Sequence, residues 1–430
     1  MYRRRLIKLC LLVVAISCGP GTSAWASDQN GAVTDWSFGG HTKYQYIHTC
    51  VPDNSILQGI DGGGLQDHKL EARLKVMARR ERFDFDLHAQ IIAVHSDSLP
   101  AFRELPGLIN PGADIINDDR RWFNLTHELS NSNKNASLVR LDRVSIAYTG
   151  EKTVARFGRQ AISWGNGLLF TPMDIFNPFD PAAVDKEYKS GDDMFYGQYL
   201  QDNGNDLQAV TVVRREPVSG DVEKDQSSFA LKYHGFLDRY EYDLLAAEHY
   251  GALVLGLGAS TDLGGAVWRA DLVWSKTDPG SVLSAVGGAS YSGVAGGHNW
   301  TGFLEYYYNG FGQADGDYSP DALAANPELL KRLARGELFN LGRHYLGASV
   351  SFEMTPLLLL TPNLFVNLGD PSALAQLVLS YDWKQDIQVL AALSFPVGPG
   401  GSEYGGIDTG QKGLYLSTGP SLFAQLAWYF

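Results

Sequence analysis

The chain has 430 residues, 35 of them basic and 48 acidic, for a net charge of −13. That balance, with no basic arm and no basic-aromatic patch, excludes nucleic acid as a partner. Glycine (47) and aromatics (20 Phe, 21 Tyr, 9 Trp) are abundant, yet no run of eighteen apolar residues follows the first 26, which excludes helical membrane spans.

Arg3, Arg4, Arg5 and Lys8 precede the short apolar stretch 9–16, and Ala24-Trp25-Ala26 has the small-x-small form of a cleavage site. Residues 1–26 are therefore read as a signal peptide and Ser27 as the mature start. Cys18 as a lipobox cysteine is disfavoured, because Ala15 rather than leucine stands three residues before it. The leader carries four basic residues and no acidic ones, leaving 31 basic against 48 acidic in the remaining 404 residues, a balance of −17. Cys50 is the cysteine left, which rules out an intramolecular disulfide or a Cys-based metal site.

Beyond the leader the chain alternates apolar and polar residues with a period of two, the mark of a strand with one apolar face. In 69–79 the row Leu70, Ala72, Leu74, Val76 and Ala78 opposes Lys69, Glu71, Arg73, Lys75, Met77 and Arg79. Phe83, Phe85, Leu87, Ala89 and Ile91 then oppose Arg82, Asp84, Asp86, His88 and Gln90. The pattern predicts eighteen strands, near 34–48, 66–80, 81–94, 137–150, 152–163, 193–202, 206–216, 225–236, 238–249, 251–263, 264–276, 283–293, 298–311, 338–353, 356–368, 372–384, 386–397 and 419–430. Without 283–293, and without 356–368, which Pro362 interrupts, sixteen remain.

Links alternate in length. The short set includes 149–152, 202–205, 237–238, 263–265, 354–356 and 383–386; the long set includes 95–136, 164–192, 312–337 and 397–420. This is an all-β plan: the alternation alone fits a soluble sandwich as well, but with the leader and the chain's ending it is read as a closed antiparallel transmembrane β-barrel with both termini on the short-turn side and no plug domain. Within the loop 312–337, Ser319 and Pro320 signal the start of a short helix over 319–334. The loop 164–193 holds Pro172, Pro178 and Pro181, which stiffen it, and Phe170, Ile175, Phe176 and Phe179, too many apolar residues for a loop in water. It is expected to fold into the barrel and to present Asp174, Asp180, Asp185, Glu187, Asp192 and Asp193 at a constriction. The chain ends on an apolar row, Leu422, Ala424, Leu426, Trp428 and Phe430.

That ending resembles the C-terminal strand signature of bacterial outer-membrane β-barrels, which finish on phenylalanine. The resemblance implies the outer membrane as location and outer-membrane lipids and the barrel-assembly machinery as partners, with Phe430, Trp428 and Leu426 as the assembly signal. The loop 164–193 is similar to the third extracellular loop of general porins, which forms their constriction. Porins of this size are often homotrimers, which the resemblance adds as an expectation. Lys69, Arg73, Lys75, Arg79, Arg82 and Arg143, with Arg140, Arg156 and Arg159, are expected to line the pore as a basic wall opposite the acidic loop. A bulge near Gly158 leaves the facing of Arg156 and Arg159 open.

The leading function is therefore passive diffusion of small polar or charged solutes. An arginine-lined conduit also resembles the alginate-export barrels, which makes export of an acidic polysaccharide the second reading. A closed structural or adhesive barrel, with lumen salt bridges among Lys69, Glu71, Arg73, Asp84, Asp86 and Arg143, is the third. The carboxylates 174, 180, 185 and 187 match no calcium-loop spacing, the ten histidines are scattered and no Gly-x-Ser-x-Gly elbow occurs, so no metal, cofactor or catalytic residue is expected.

Overall fold

The computed structural model describes residues 34–61, 63–104, 117–278 and 280–430. The segment 1–26, read as a signal peptide, lies outside the described residues. The strands in chain order are β1 (Asp35–Cys50), β2 (Gly64–Arg80), β3 (Phe83–Ser96), β4 (Thr126–Asn131), β5 (Asn135–Thr149), β6 (Thr153–Gln160), β7 (Asp192–Leu200), β8 (Asp206–Val212), β9 (Ser228–Leu237), β10 (Tyr240–His249), β11 (Ala252–Leu263), β12 (Ala266–Thr277), β13 (Gly280–Ala295), β14 (His298–Tyr308), β15 (His344–Thr355), β16 (Leu358–Asn367), β17 (Ser372–Lys384), β18 (Ile387–Val397), the two-residue β19 (Ile407–Asp408) and β20 (Tyr415–Leu416), and β21 (Ser421–Tyr429).

Each long strand pairs antiparallel with its neighbour in sequence, and β1 pairs with both β2 and β21, so the sheet closes. The ring has eighteen strands, because β4, β19 and β20 stand outside it. Closure matters energetically: in hydrocarbon every backbone N–H and C=O needs a protein partner, and an open edge would leave a row of them bare. Both segments on which the count depended are strands. In β16 the ladder to β15 skips Thr361 and Pro362 while the ladder to β17 runs through them, so the missing proline N–H falls where no bond is made.

At one rim every link is short. Gly264-Gly265 (φ +67°, +79°) and Gly296-Gly297 (φ +60°, +83°) are two-residue links with both φ positive, the geometry whose twist matches flanking strands and which glycine adopts without strain. The outward row is apolar: Leu70, Leu74, Phe83, Phe85, Leu87, Leu257, Leu272, Leu304, Leu422, Leu426 and Phe430 are all exposed. Exposed aromatics gather toward the short-turn rim, among them Trp36, Phe38, Trp268, Tyr291 and Trp383, as expected for an interfacial girdle. The closing strand is fastened at its end, where the Gly40 N–H donates to the Phe430 carbonyl (2.9 Å) and the Trp428 indole donates to Asp386 (3.0 Å).

Two features differ from expectation. The link 95–136 holds a helix, α2 (Leu99–Glu104), which follows α1 (Gln58–Asp61) of the β1–β2 link, and also strand β4. β4 pairs with the part of β5 beyond the reach of the short β6, at Ala136–Arg140, while β6 takes Val144–Thr149. The single helix over 319–334 is two, α3 (Pro320–Ala324) and α4 (Pro327–Ala334). Pro327 cannot donate a helical hydrogen bond, so the first helix stops and Asn326 caps the second by accepting from the Leu329 N–H (3.3 Å).

Candidate functional site in the barrel lumen

Residues 161–191 link β6 to β7 and run inside the ring. Lumen-facing side chains from around the wall bind this loop in sequence. The Trp164 indole donates to Gln208 on β8 (2.8 Å). Asp271 on β12 accepts the Asn166 and Gly167 backbone N–H groups (2.7 and 3.2 Å) and the Asn166 side chain (2.8 Å). Glu305 on β14 accepts three successive backbone N–H groups, from Leu168 (2.5 Å), Leu169 (2.8 Å) and Phe170 (3.2 Å). Gln376 on β17 donates to the Ala182 carbonyl (3.0 Å), and Lys43 on β1 holds Asp185 (2.7 Å) and Glu187 (2.6 Å). Arg143 on β5 then donates to the Lys189 carbonyl (2.6 Å).

Packing follows the same path. Trp164, Met173, Ile175 and Phe176 bury against Met194, Val210, Val212, Leu245, Val254 and Val273, which point inward from β7, β8, β10, β11 and β12. Phe170 stacks on Tyr307 at 4.9 Å and 13°. The loop therefore fills the β7–β15 side of the lumen with apolar contacts and meets β1, β2 and β5 with charge.

The six acidic residues do not gather into one ring. Asp185 and Glu187 meet on Lys43, and Tyr429 also donates to Glu187 (2.9 Å). Burial works to raise the Glu187 pKa, but Lys43 and Tyr429 outweigh it and leave it lowered. Asp174 is buried against Lys189; burial pushes its carboxyl up to about 6 despite that lysine. Asp180 accepts from the Ala182 N–H (2.8 Å). Asp192 and Asp193 are corrections: they are the first residues of β7, not loop residues, and adjacent strand positions face opposite ways. Asp192 takes two bonds from Arg214 (2.9 and 2.7 Å), whereas Asp193 takes Arg159 (2.9 Å). The Arg159–Asp193 pair shares its strand face with the outward Phe157 and Phe195, and is roofed by residues 117–131. There Asp118 is a second partner of Arg159 (2.9 Å), and Trp122 and Phe123 stack beside it.

Of the basic wall, Lys69, Arg73, Lys75 and Arg143 face the lumen. Arg73 and Arg143 share Asp142 (2.8 Å each), Lys69 pairs with Glu71 (3.0 Å), and Lys75 meets the Tyr188 hydroxyl. Tyr188 lies under Arg73 at 4.1 Å and Lys75 at 4.7 Å, a loop aromatic held by cations. Arg79 and Arg82 are corrections. They sit at the β2–β3 turn on the short-turn rim, where Arg79 pairs with Asp84 (2.5 Å) with its side chain 72% exposed, and Arg82 donates to the Tyr148 hydroxyl (3.2 Å). Arg79 is the last but one residue of β2 and Arg82 lies in the turn, so both stand at the open rim. Between wall and loop lies a cavity of ≈ 330 Å³ lined by Lys43, Lys69, Arg73, Arg140 and Lys189 against Glu71, Asp142 and Asp185. Five cations and three carboxylates line it, and two of those cations, Lys43 and Lys189, also hold Glu187 and Asp174.

Sequence reasoning missed Asp271 and Glu305 as loop clamps. Their charge on an inward row was the available signal, but their partners lie over 100 positions away.

No family model matches the sequence, and no curated protein matches it. Solved structures do. The chain is similar to a BenF-like porin from Pseudomonas fluorescens Pf-5 (10% identity, 92% of this chain and 98% of that one, TM-score 0.52). It is similar also to OccAB4 (8%, 91% and 98%, 0.52) and OccAB3 (10%, 92% and 99%, 0.51) of Acinetobacter baumannii. At such identities the likeness is one of architecture. The chain has the porin-like fold of bacterial outer-membrane proteins, a closed antiparallel barrel of eighteen strands.

Proposed function

We propose that the barrel is a passive diffusion channel of the bacterial outer membrane, passing small polar solutes along the basic side of its lumen and anions more readily than cations. The observation that supports this reading is the ≈ 330 Å³ cavity between loop and wall, whose lining carries five cations and three carboxylates. Rings of basic side chains favour anions, as rings of carboxylates favour cations. The loop acids are not free charges: Asp185 and Glu187 share Lys43, and Asp174 rests on Lys189. Reversal potentials of the refolded barrel in a planar bilayer under a potassium chloride gradient test it. Anion preference is expected, and Lys43→Gln, which strips Asp185 and Glu187 of their partner, moves it toward cations. Cation preference in the unaltered protein sinks the proposal.

One observation favours a second reading, a barrel closed at rest. Loop residues Met173, Ile175 and Phe176 pack on inward apolar residues of five strands, so much of the lumen cross-section is filled. Absence of conductance at every voltage supports that reading. Export of a polysaccharide requires the loop to leave as a unit, against its anchors on β8, β12, β14 and β17.

A further inference from the structure

Segments far apart in sequence converge at the long-loop mouth of the barrel. Tyr250, at the tip of the β10–β11 hairpin, holds a positive φ (+49°) that a non-glycine residue rarely adopts. Its ring lies between two guanidinium groups, Arg335 at 3.9 Å and Arg214 at 4.6 Å. Arg214 is spent: it donates twice to Asp192 and once to Ser228 (2.9 Å). Arg335 is not, since its ion pair with Glu337 is long (3.6 Å) and Glu337 is held more closely by Arg332 (2.6 Å). Arg121 reaches the same place from the β3–β5 link, donating to the Gly191 carbonyl (3.0 Å) and Asp118 (2.5 Å).

These groups enclose a cavity of ≈ 40 Å³, with Arg120, Asn117 and Asn177 completing its lining. That is room for about three waters or one small oxyanion. Besides Arg120, which is engaged elsewhere, Arg121, Arg214 and Arg335 line it with two carboxylates, Asp118 and Asp192. Both carboxylates are already engaged, Asp118 by Arg121, Arg159 and the Leu125 N–H, and Asp192 by Arg214. A half-open space in which, among the described residues, both lining carboxylates are engaged and Arg335 keeps only a long, shared ion pair attracts an anion. Guanidinium forks approaching from separate segments suit a tetrahedral oxyanion, whose oxygens point several ways, better than a carboxylate, which one fork saturates.

We propose that this mouth cavity binds a single phosphate group, held between Arg121 and Arg335 with Asn177 at its edge. It shares no lining residue with the lumen cavity, so it stands whether or not the barrel conducts. The phosphate belongs either to a soluble phosphorylated solute arriving at the mouth or to a lipid headgroup at the membrane rim.

The test is calorimetric titration of the refolded full-length barrel. One arm uses phosphatidylcholine nanodiscs and inorganic phosphate; the other uses detergent-solubilised barrel and dihexanoyl phosphatidic acid. Saturable one-to-one binding is expected, weakened about tenfold or more by Arg335→Gln. Asn177→Asp is the second variant: it removes no arginine, tolerates the local backbone (φ +52°), and sets a negative charge against the ligand, so it weakens binding comparably. Heat-dependent gel mobility verifies that both variants form barrels. Binding of inorganic phosphate that depends on Arg335 assigns a soluble ligand, and binding of the lipid alone assigns a headgroup; either supports the site. No saturable binding in either arm, equal affinity in both variants, or loss on Lys43→Gln instead overturns it.

Discussion

Replacing Glu305 with glutamine is expected to free the lumen loop without opening the barrel. Glu305 receives the Leu168, Leu169 and Phe170 N–H groups at 2.5, 2.8 and 3.2 Å. A hydrogen bond to a charged group contributes about 1.5–3 kcal/mol. Glutamine keeps one acceptor oxygen and turns an N–H₂ toward the remaining donors, so one to two of the three bonds are lost, about 3 kcal/mol. The Asp271 clamp and the Phe170–Tyr307 stack remain, which keeps the loop docked most of the time. At 1.4 kcal/mol per factor of ten, the undocked population rises roughly a hundredfold. Hydrogen exchange of the refolded barrel reads this directly. Amides of 164–176 should exchange about a hundredfold faster in Glu305→Gln, while strand amides keep their protection. Unchanged exchange in 164–176 would refute the clamp. Faster exchange along every strand would show that Glu305 supports the wall rather than the loop.

Two further outcomes follow from buried charge. Arg159→Met leaves Asp118 and Asp193, both with fully buried side chains, without their shared cation, at a cost of about 3–5 kcal/mol. The roofing segment 117–131 should detach and become a protease site, and a resistant segment contradicts the assignment. Glu403, in the β18–β21 link, is a pH-sensitive group. It accepts from the Leu341 N–H (2.9 Å), Asn367 (2.7 Å) and the Tyr345 hydroxyl, and burial, with Asp370 nearby, pushes its pKa up to about 7. Because the folded value exceeds the ordinary 4.5, the native loop retains the proton; its stabilisation is full below about pH 4.5 and is lost as pH rises through 7. Exchange in 398–420 should therefore quicken between pH 5 and pH 8 beyond its intrinsic rate, and Glu403→Gln should abolish the excess. An equal excess in the variant removes Glu403 as the cause.

The strand plan was legible because strand faces obey a local rule. A period of two assigns each side chain to lipid or lumen from its neighbours alone, so Leu70 and Leu74 could be set outward and Lys69, Glu71, Arg73 and Lys75 inward before any contact was known. The paired glycines at 264–265 and 296–297 are local in the same sense. The plan went wrong at element ends: at the β2–β3 rim, where Arg79 and Arg82 meet water, and at the start of β7, where Asp192 and Asp193, read as loop, already alternate and part to opposite faces. It was silent on β4, whose place depends on how far β6 reaches along β5. Which charge meets which was decided only by closure. Lys43 meets Asp185 across 142 positions, and Glu305 meets Leu168 across 137. Such pairs share no local pattern, since the bonds exist only after the sheet has curled round and the loop has entered it. The strand faces are thus written in the sequence, whereas the sign and the occupancy of the lumen are properties of the closed ring.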